Sequence, residues 1–84
     1  MQDSHLRPKA TWVLTLIGPA AVPALTEALA HRTWQVRAAA ADALGEIGPA
    51  AAAAVPALTA ALKDKSREVR EAAAQSLADV QDEK

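Results

Sequence analysis

"VPALTEALAHRTWQVRAAAADALGEI" (residues 22–47) aligns without a gap on "VPALTAALKDKSREVREAAAQSLADV" (55–80), at an offset of 33 residues. Val22-Pro23 falls on Val55-Pro56, Leu29 on Leu62, Thr33 on Ser66, Val36-Arg37 on Val69-Arg70 and Leu44 on Leu77. Self-similarity at this period marks an array of supersecondary units, each unable to bury its apolar face without a neighbour. A third, worn copy, "HLRPKATWVLTLIG" (5–18), aligns on "QVRAAAADALGEIG" (35–48) at an offset of 30, placing Leu6-Arg7 on Val36-Arg37 and Ile17 on Ile47. The two offsets differ by three alanines, because "GPAAAAAVPAL" in the last copy stands where the middle one has "GPAAVPAL". Three residues are nearly one helical turn, so this insertion is expected to lengthen a helix without greatly rotating its apolar face.

Each unit reads as two helices. Val22, Leu25 and Leu29 recur at i, i+3 and i+7, one helix face. Pro23 fits only in the first turn, where its missing N–H has no partner to lose. In the second segment Val36, Ala40, Ala43, Leu44 and Ile47 form the expected inward stripe. Thr33 and Ser66 stand at N-cap positions, and Gly48-Pro49 closes the first full copy in the order of a C-cap and stop. Five helices follow, at about 6–17, 20–31, 34–47, 51–63 and 67–81. The expected fold is all-α: a single domain over 1–84, with a partial repeat at 5–18 and full repeats at 19–48 and 49–81.

Composition agrees with this reading. Twenty-three of the 43 apolar residues are alanine, and Phe and Tyr are missing, which suits thin, close helix contacts. Without cysteine there is no disulfide, thiol chemistry or thiolate zinc site. Nine basic and ten acidic residues give a formal charge of −1, without the basic stripe of a nucleic-acid reader. No uninterrupted apolar run reaches the ~20 residues of a membrane span, and "MQDSHLRPK" is too polar for a signal peptide, so a cytoplasmic protein with no membrane partner is expected. Catalysis is not expected either. His5 and His31 have no second ligand at helical metal spacing, Asp79 and Glu83 read as a charged C-terminus, and there is no phosphate-cradling glycine loop. No cofactor is implied.

The pattern "IGPAA…VPAL…AL…(S/T)xxVRxAAAxxLG" resembles the HEAT-like repeat, most closely the short variety named after phycobilisome lyases, over nearly the whole chain. The resemblance implies an α-α superhelix, a curved solenoid whose concave side is lined by the second helix of each unit and grips a protein partner. It also implies that Arg7, Arg37 and Arg70, which share one repeat position, form an internal ladder between neighbouring repeats.

Two further features point outward. Trp34 lies opposite the inward stripe, where the next copy has Arg67, and reads as a surface anchor beside Glu71 and Gln75. Trp12 and Leu16 stand where later copies carry Asp42 and Glu46, then Gln75 and Asp79; with Val13, Leu14 and Ile17 they make the first helix apolar nearly all round. The expected function is a non-enzymatic interaction module and scaffold. It would self-associate through Trp12, Val13 and Leu16, a twofold dimer being the commonest arrangement, and would bind a protein or peptide through Trp34, Arg67, Glu71 and Gln75. Two alternatives remain at this level: a bilin-lyase-like or enzyme-accessory protein that holds a chromophore, and a piece of a longer or designed array whose greasy first helix is a cut surface.

Overall fold

A computed structural model describes residues 18–81, and every regular element among them is helical. The chain enters through a 3-10 turn, Gly18–Ala21, into α1 (Val22–Ala28) and returns along α2 (Trp34–Ile47). A longer 3-10 segment, Gly48–Ala54, leads into α3 (Val55–Ala61), and α4 (Arg67–Val80) runs back beside α2. The predicted helix at 6–17, with His5, Arg7, Trp12, Val13 and Leu16, lies outside the described residues.

The helices predicted at 20–31 and 51–63 are shorter in their α-helical part than the sequence reading gives. Pro23 and Pro56 sit in the first turn of α1 and α3, as their missing N–H requires. The Gly-Pro-Ala stretch ahead of each winds as 3-10 helix instead. At the far ends the chain tightens to i→i−3 bonds, from the N–H of Ala30 to Glu27 (3.0 Å) and of Lys63 to Ala60 (3.1 Å). The three extra alanines therefore extend a 3-10 connector, with a break in helical geometry at Ala51, and not α3 itself. Both copies enter the α-helix alike, through Ala21 (φ −86°, ψ −7°) and Ala54 (φ −88°, ψ −3°).

Thr33 and Ser66 both stand as N-caps with extended backbone, but only the Ser66 hydroxyl accepts an N–H, from Val69 at 3.4 Å. Thr33 makes no side-chain cap bond. Gly48 ends α2 with φ +78°, a conformation that L side chains rarely adopt, and donates its N–H to Leu44 O. That break matters for a second reason. The stretch Trp34–Ala61 reaches a mean hydropathy of 1.2, long and apolar enough on composition to span a bilayer. Its helical geometry is broken instead, by the positive φ of Gly48 and again at Ala51, and its apolar content is mostly alanine.

α2 lies at the centre, against α1 and the second connector on one side and α4 on the other. Of the predicted inward stripe, Ala40, Ala43 and Leu44 are buried, while Val36 and Ile47 are half-buried. A second stripe, Arg37, Ala41 and Gly45 at four-residue spacing, is equally buried, against α4. Here the two helices approach closely. The Ser76 hydroxyl donates to the Ala41 carbonyl, and a Cβ on Gly45 would stand 2.8 Å from Ser76 Oγ. Leu44, Leu58 and Val69 are the large side chains with no exposure.

Candidate functional site

The inter-helix turns of the two hairpins are built alike. In the first, the Thr33 N–H donates to His31 Nδ1 at 3.0 Å; in the second, the Ser66 N–H donates to Asp64 Oδ1 at 2.8 Å. In each, the arginine of the following helix reaches back to the turn. Arg37 Nη1 donates to the carbonyls of His31 (2.7 Å) and Arg32 (3.0 Å), and Arg70 Nη1 to that of Asp64 (2.7 Å). The two arginines differ beyond that. Arg37 also spans to the second hairpin, donating from Nε to Asp64 Oδ2 at 2.7 Å and from Nη2 to Oδ1 at 3.0 Å. These side chains are 10% and 12% exposed, so the fork is largely out of water. The Arg37 hydrogen bonds hold the Asp64 carboxyl below the usual aspartate range, opposed by the desolvation that would raise it. Arg70 is exposed, and its fork has no carboxylate among the described residues.

Of the three arginines assigned to a ladder, then, Arg37 bridges the hairpins, Arg70 touches only its own turn, and Arg7 lies outside the described residues. Asp64 was not singled out from the sequence. Its signal was there: an Asp two residues before an N-cap Ser, the spacing of a side chain that accepts the turn's N–H.

The outward face of α2 and α4 carries the other candidates. Trp34, Ala38, Asp42 and Glu46 follow at four-residue spacing along α2, and their repeat partners on α4 are Arg67, Glu71, Gln75 and Asp79. Trp34 is 41% exposed, one turn before Ala38. A groove of about 310 Å³ runs between the helices, lined by Ala38, Asp42, Glu68, Glu71, Ala72 and Gln75. It continues into a smaller depression lined by Asp42, Glu46, Gln75, Ser76 and Asp79. Glu71 and Gln75 line this groove as the sequence suggested. Arg67 instead donates from Nε to Glu71 Oε2 at 3.0 Å along the solvent side of α4.

The sequence reading missed Glu68, Asp42 and Glu46, and took Asp79 for a solvated terminus. Glu68 has its carboxyl held below the usual glutamate range, first by its own backbone N–H and then by the Ser66 hydroxyl. Asp42, Glu46 and Asp79 share repeat positions in the sequence, but they collect with Glu68 and Glu71 into one groove because helices 33 residues apart lie side by side. His31 is exposed in its turn, and among the described residues no three His, Asp or Glu side chains are grouped as metal ligands.

Compared with known proteins, the chain matches the family model described as HEAT repeats over residues 2–78. No curated protein and no solved structure matches it significantly.

Proposed function

The chain belongs to the family of HEAT repeats, and on that premise we propose that it is a non-enzymatic interaction module that binds a cationic protein segment on the face of α2 and α4. HEAT repeats generally mediate protein–protein interaction. The observation that carries the finer reading is the α2–α4 groove, with alanine on its floor, five carboxylates (Asp42, Glu46, Glu68, Glu71, Asp79) along its length and Trp34 exposed on the same helix stripe. The alanines admit a chain closely, carboxylates oppose a basic segment, and an exposed Trp supplies the rigid apolar anchor common at binding hot spots. Among the described residues, Arg67 beside the groove is engaged by Glu71.

The test uses a helical alanine–lysine peptide and the full chain with Trp12→Phe, so that emission reports Trp34 alone. The expected result is a shift in Trp34 emission that weakens as salt rises, and that is lost in Glu68→Lys/Glu71→Lys. Equal binding by the charge-reversed protein would sink the groove assignment.

Self-association through Trp12, Val13 and Leu16 belongs to the same reading, as does a curved superhelix to which each copy adds a hairpin. Absolute mass by light scattering across a wide concentration range checks it. Trp12→Asp/Leu16→Glu, the residues of the second copy, is expected to yield monomer from a larger species.

A further inference from the structure

We propose that the α2–α4 groove takes a basic helix of a partner protein in one direction only, antiparallel to α2 and α4. The cations in the first turn of that helix lie between Glu46 and Asp79, and an apolar residue about 11 positions later rests on Trp34. This inference rests on the groove reading above and adds to it the shape and polarity of the partner.

The groove has two unlike ends. Ala38 and Asp42 line its wider part with Glu68, Glu71 and Ala72, while Asp42 and Glu46 line its narrower part with Gln75 and Asp79. Low numbers face low numbers, so α2 and α4 run in the same direction and their C-termini share the Glu46–Asp79 end. Toward Trp34 the carboxylates are already engaged, Glu68 by the Ser66 hydroxyl and Glu71 by Arg67. At the far end Glu46 and Asp79 are exposed, and neither side chain has an ion pair or hydrogen bond among the described residues. Each also stands in the last turn of its helix, where the aligned peptide dipoles concentrate negative charge. Neither helix has a basic residue in that turn to offset it.

A helix brought into the groove carries its own dipole. Its N-terminus, with unsatisfied N–H groups and partial positive charge, is drawn to the Glu46–Asp79 end, and its C-terminus is repelled from it. Carboxylates there also accept the orphan N–H groups of the first turn. A helix suits this lining better than an extended chain does. Apart from the Gln75 amide and the Ser76 hydroxyl, which is spent on the Ala41 carbonyl, the polar side-chain atoms of the groove are carboxylate oxygens, which accept and do not donate. The carbonyls of an extended chain would find few donors, whereas a helix satisfies its own backbone. The length follows from α2 itself. Twelve residues separate Trp34 from Glu46, about 18 Å of helix. An interval of about 11 residues in the partner covers this and, being close to three turns, keeps both its ends on one face.

Two helical peptides of one composition, cross-linked on their outer face and capped at both termini, test this against the full chain with Trp12→Phe. One has a pair of lysines in its first turn and a leucine about 11 residues later; the other has the reverse order. The first is expected to bind about fivefold more tightly at low salt, with the preference fading as salt rises. A nitroxide at its leucine end should quench Trp34 emission, and one at its lysine end should not. Glu46→Gln/Asp79→Asn, both at exposed positions, should abolish the preference between the peptides. Equal affinity for the two peptides, or equal quenching from both ends, overturns the polarity and leaves the groove assignment standing. A proline-interrupted peptide of the same composition that binds as tightly makes the occupant an extended chain and overturns the helix. If none of the peptides binds, the groove assignment and this inference fall together.

Discussion

The two hairpins share a sequence plan and differ in what covers them. Leu44 has no exposure, while its counterpart Leu77 is only half-buried. Arg37 closes a two-bond fork on Asp64; Arg70, at the same place, holds one carbonyl. Trp34 and Arg67 head the two second helices, one apolar and exposed, the other tied to Glu71 across one turn. In a repeat array, then, a residue's energetic weight is set by the next layer more than by its own type.

The sharpest way to break this comparison is to truncate both leucines. Leu44→Ala should lose about 4 kcal/mol in urea unfolding, because it leaves a closed cavity, and Leu77→Ala about half of that. Equal losses would mean that the second hairpin is covered as fully as the first.

Next in size is the fork. Asp64→Ala should lose about 3 kcal/mol, since it strands the Arg37 guanidinium in a nearly dry site. Arg70→Ala should change stability by about 0.5 kcal/mol. The same pair predicts a pH signature. Arg37 lowers the folded-state pKa of Asp64, so the stabilisation is fully present above the ordinary aspartate value of about 4 and is lost as pH falls below it through the lowered value. Asp64→Asn should flatten the acid limb of the stability curve measured from pH 7 downward. An unchanged limb would mean that other carboxylates govern acid unfolding.

Gly45→Ala comes third, at about 2 kcal/mol, as the new methyl meets Ser76 Oγ at 2.8 Å and Ser76 Cα at 3.1 Å. Pairing it with Ser76→Gly should recover part of the loss; a purely additive double mutant would place the strain elsewhere. Smallest is Arg67→Ala, about 0.3 kcal/mol, because the Arg67–Glu71 pair is 78% and 64% exposed and works against water. Measuring it in low and high salt should show the effect vanish in the latter.

How much of this was legible depended on whether a feature repeats. The hairpins, the first-turn prolines and the Gly48 stop were readable, because copy against copy exposes the positions that geometry holds fixed. The 3-10 character of the GPA connectors was not, since alanine suits either winding and only the prolines' missing N–H groups bias it. The stripe Arg37, Ala41, Gly45 was passed over for the more apolar Val36, Ala40, Ile47, although a central helix must bury two faces and the second can be made of small residues and a satisfied arginine. Asp64 was overlooked because its partner lies 27 residues away in another helix, and the groove carboxylates because their neighbours are set by the offset between copies. The candidate anchors Trp34, Glu71 and Gln75 could be named from the sequence, and so could the acidic or polar character of the positions held by Asp42, Glu46, Gln75 and Asp79; that Glu68 joins them in one groove could not.

The alanine connectors carry one further consequence, for how such a chain can change over generations. A 3-10 helix turns by about 120° per residue, so three residues close a full circle. The seven-residue connector is broken at Ala51, so its three extra alanines make a kinked spacer, and both connectors hand over to the α-helix through an alanine of matching dihedrals, Ala21 and Ala54. Three codons gained or lost together, the difference between the two copies, leave Leu58 as buried as its counterpart Leu25. A single alanine gained or lost would swing that leucine a third of a turn toward solvent.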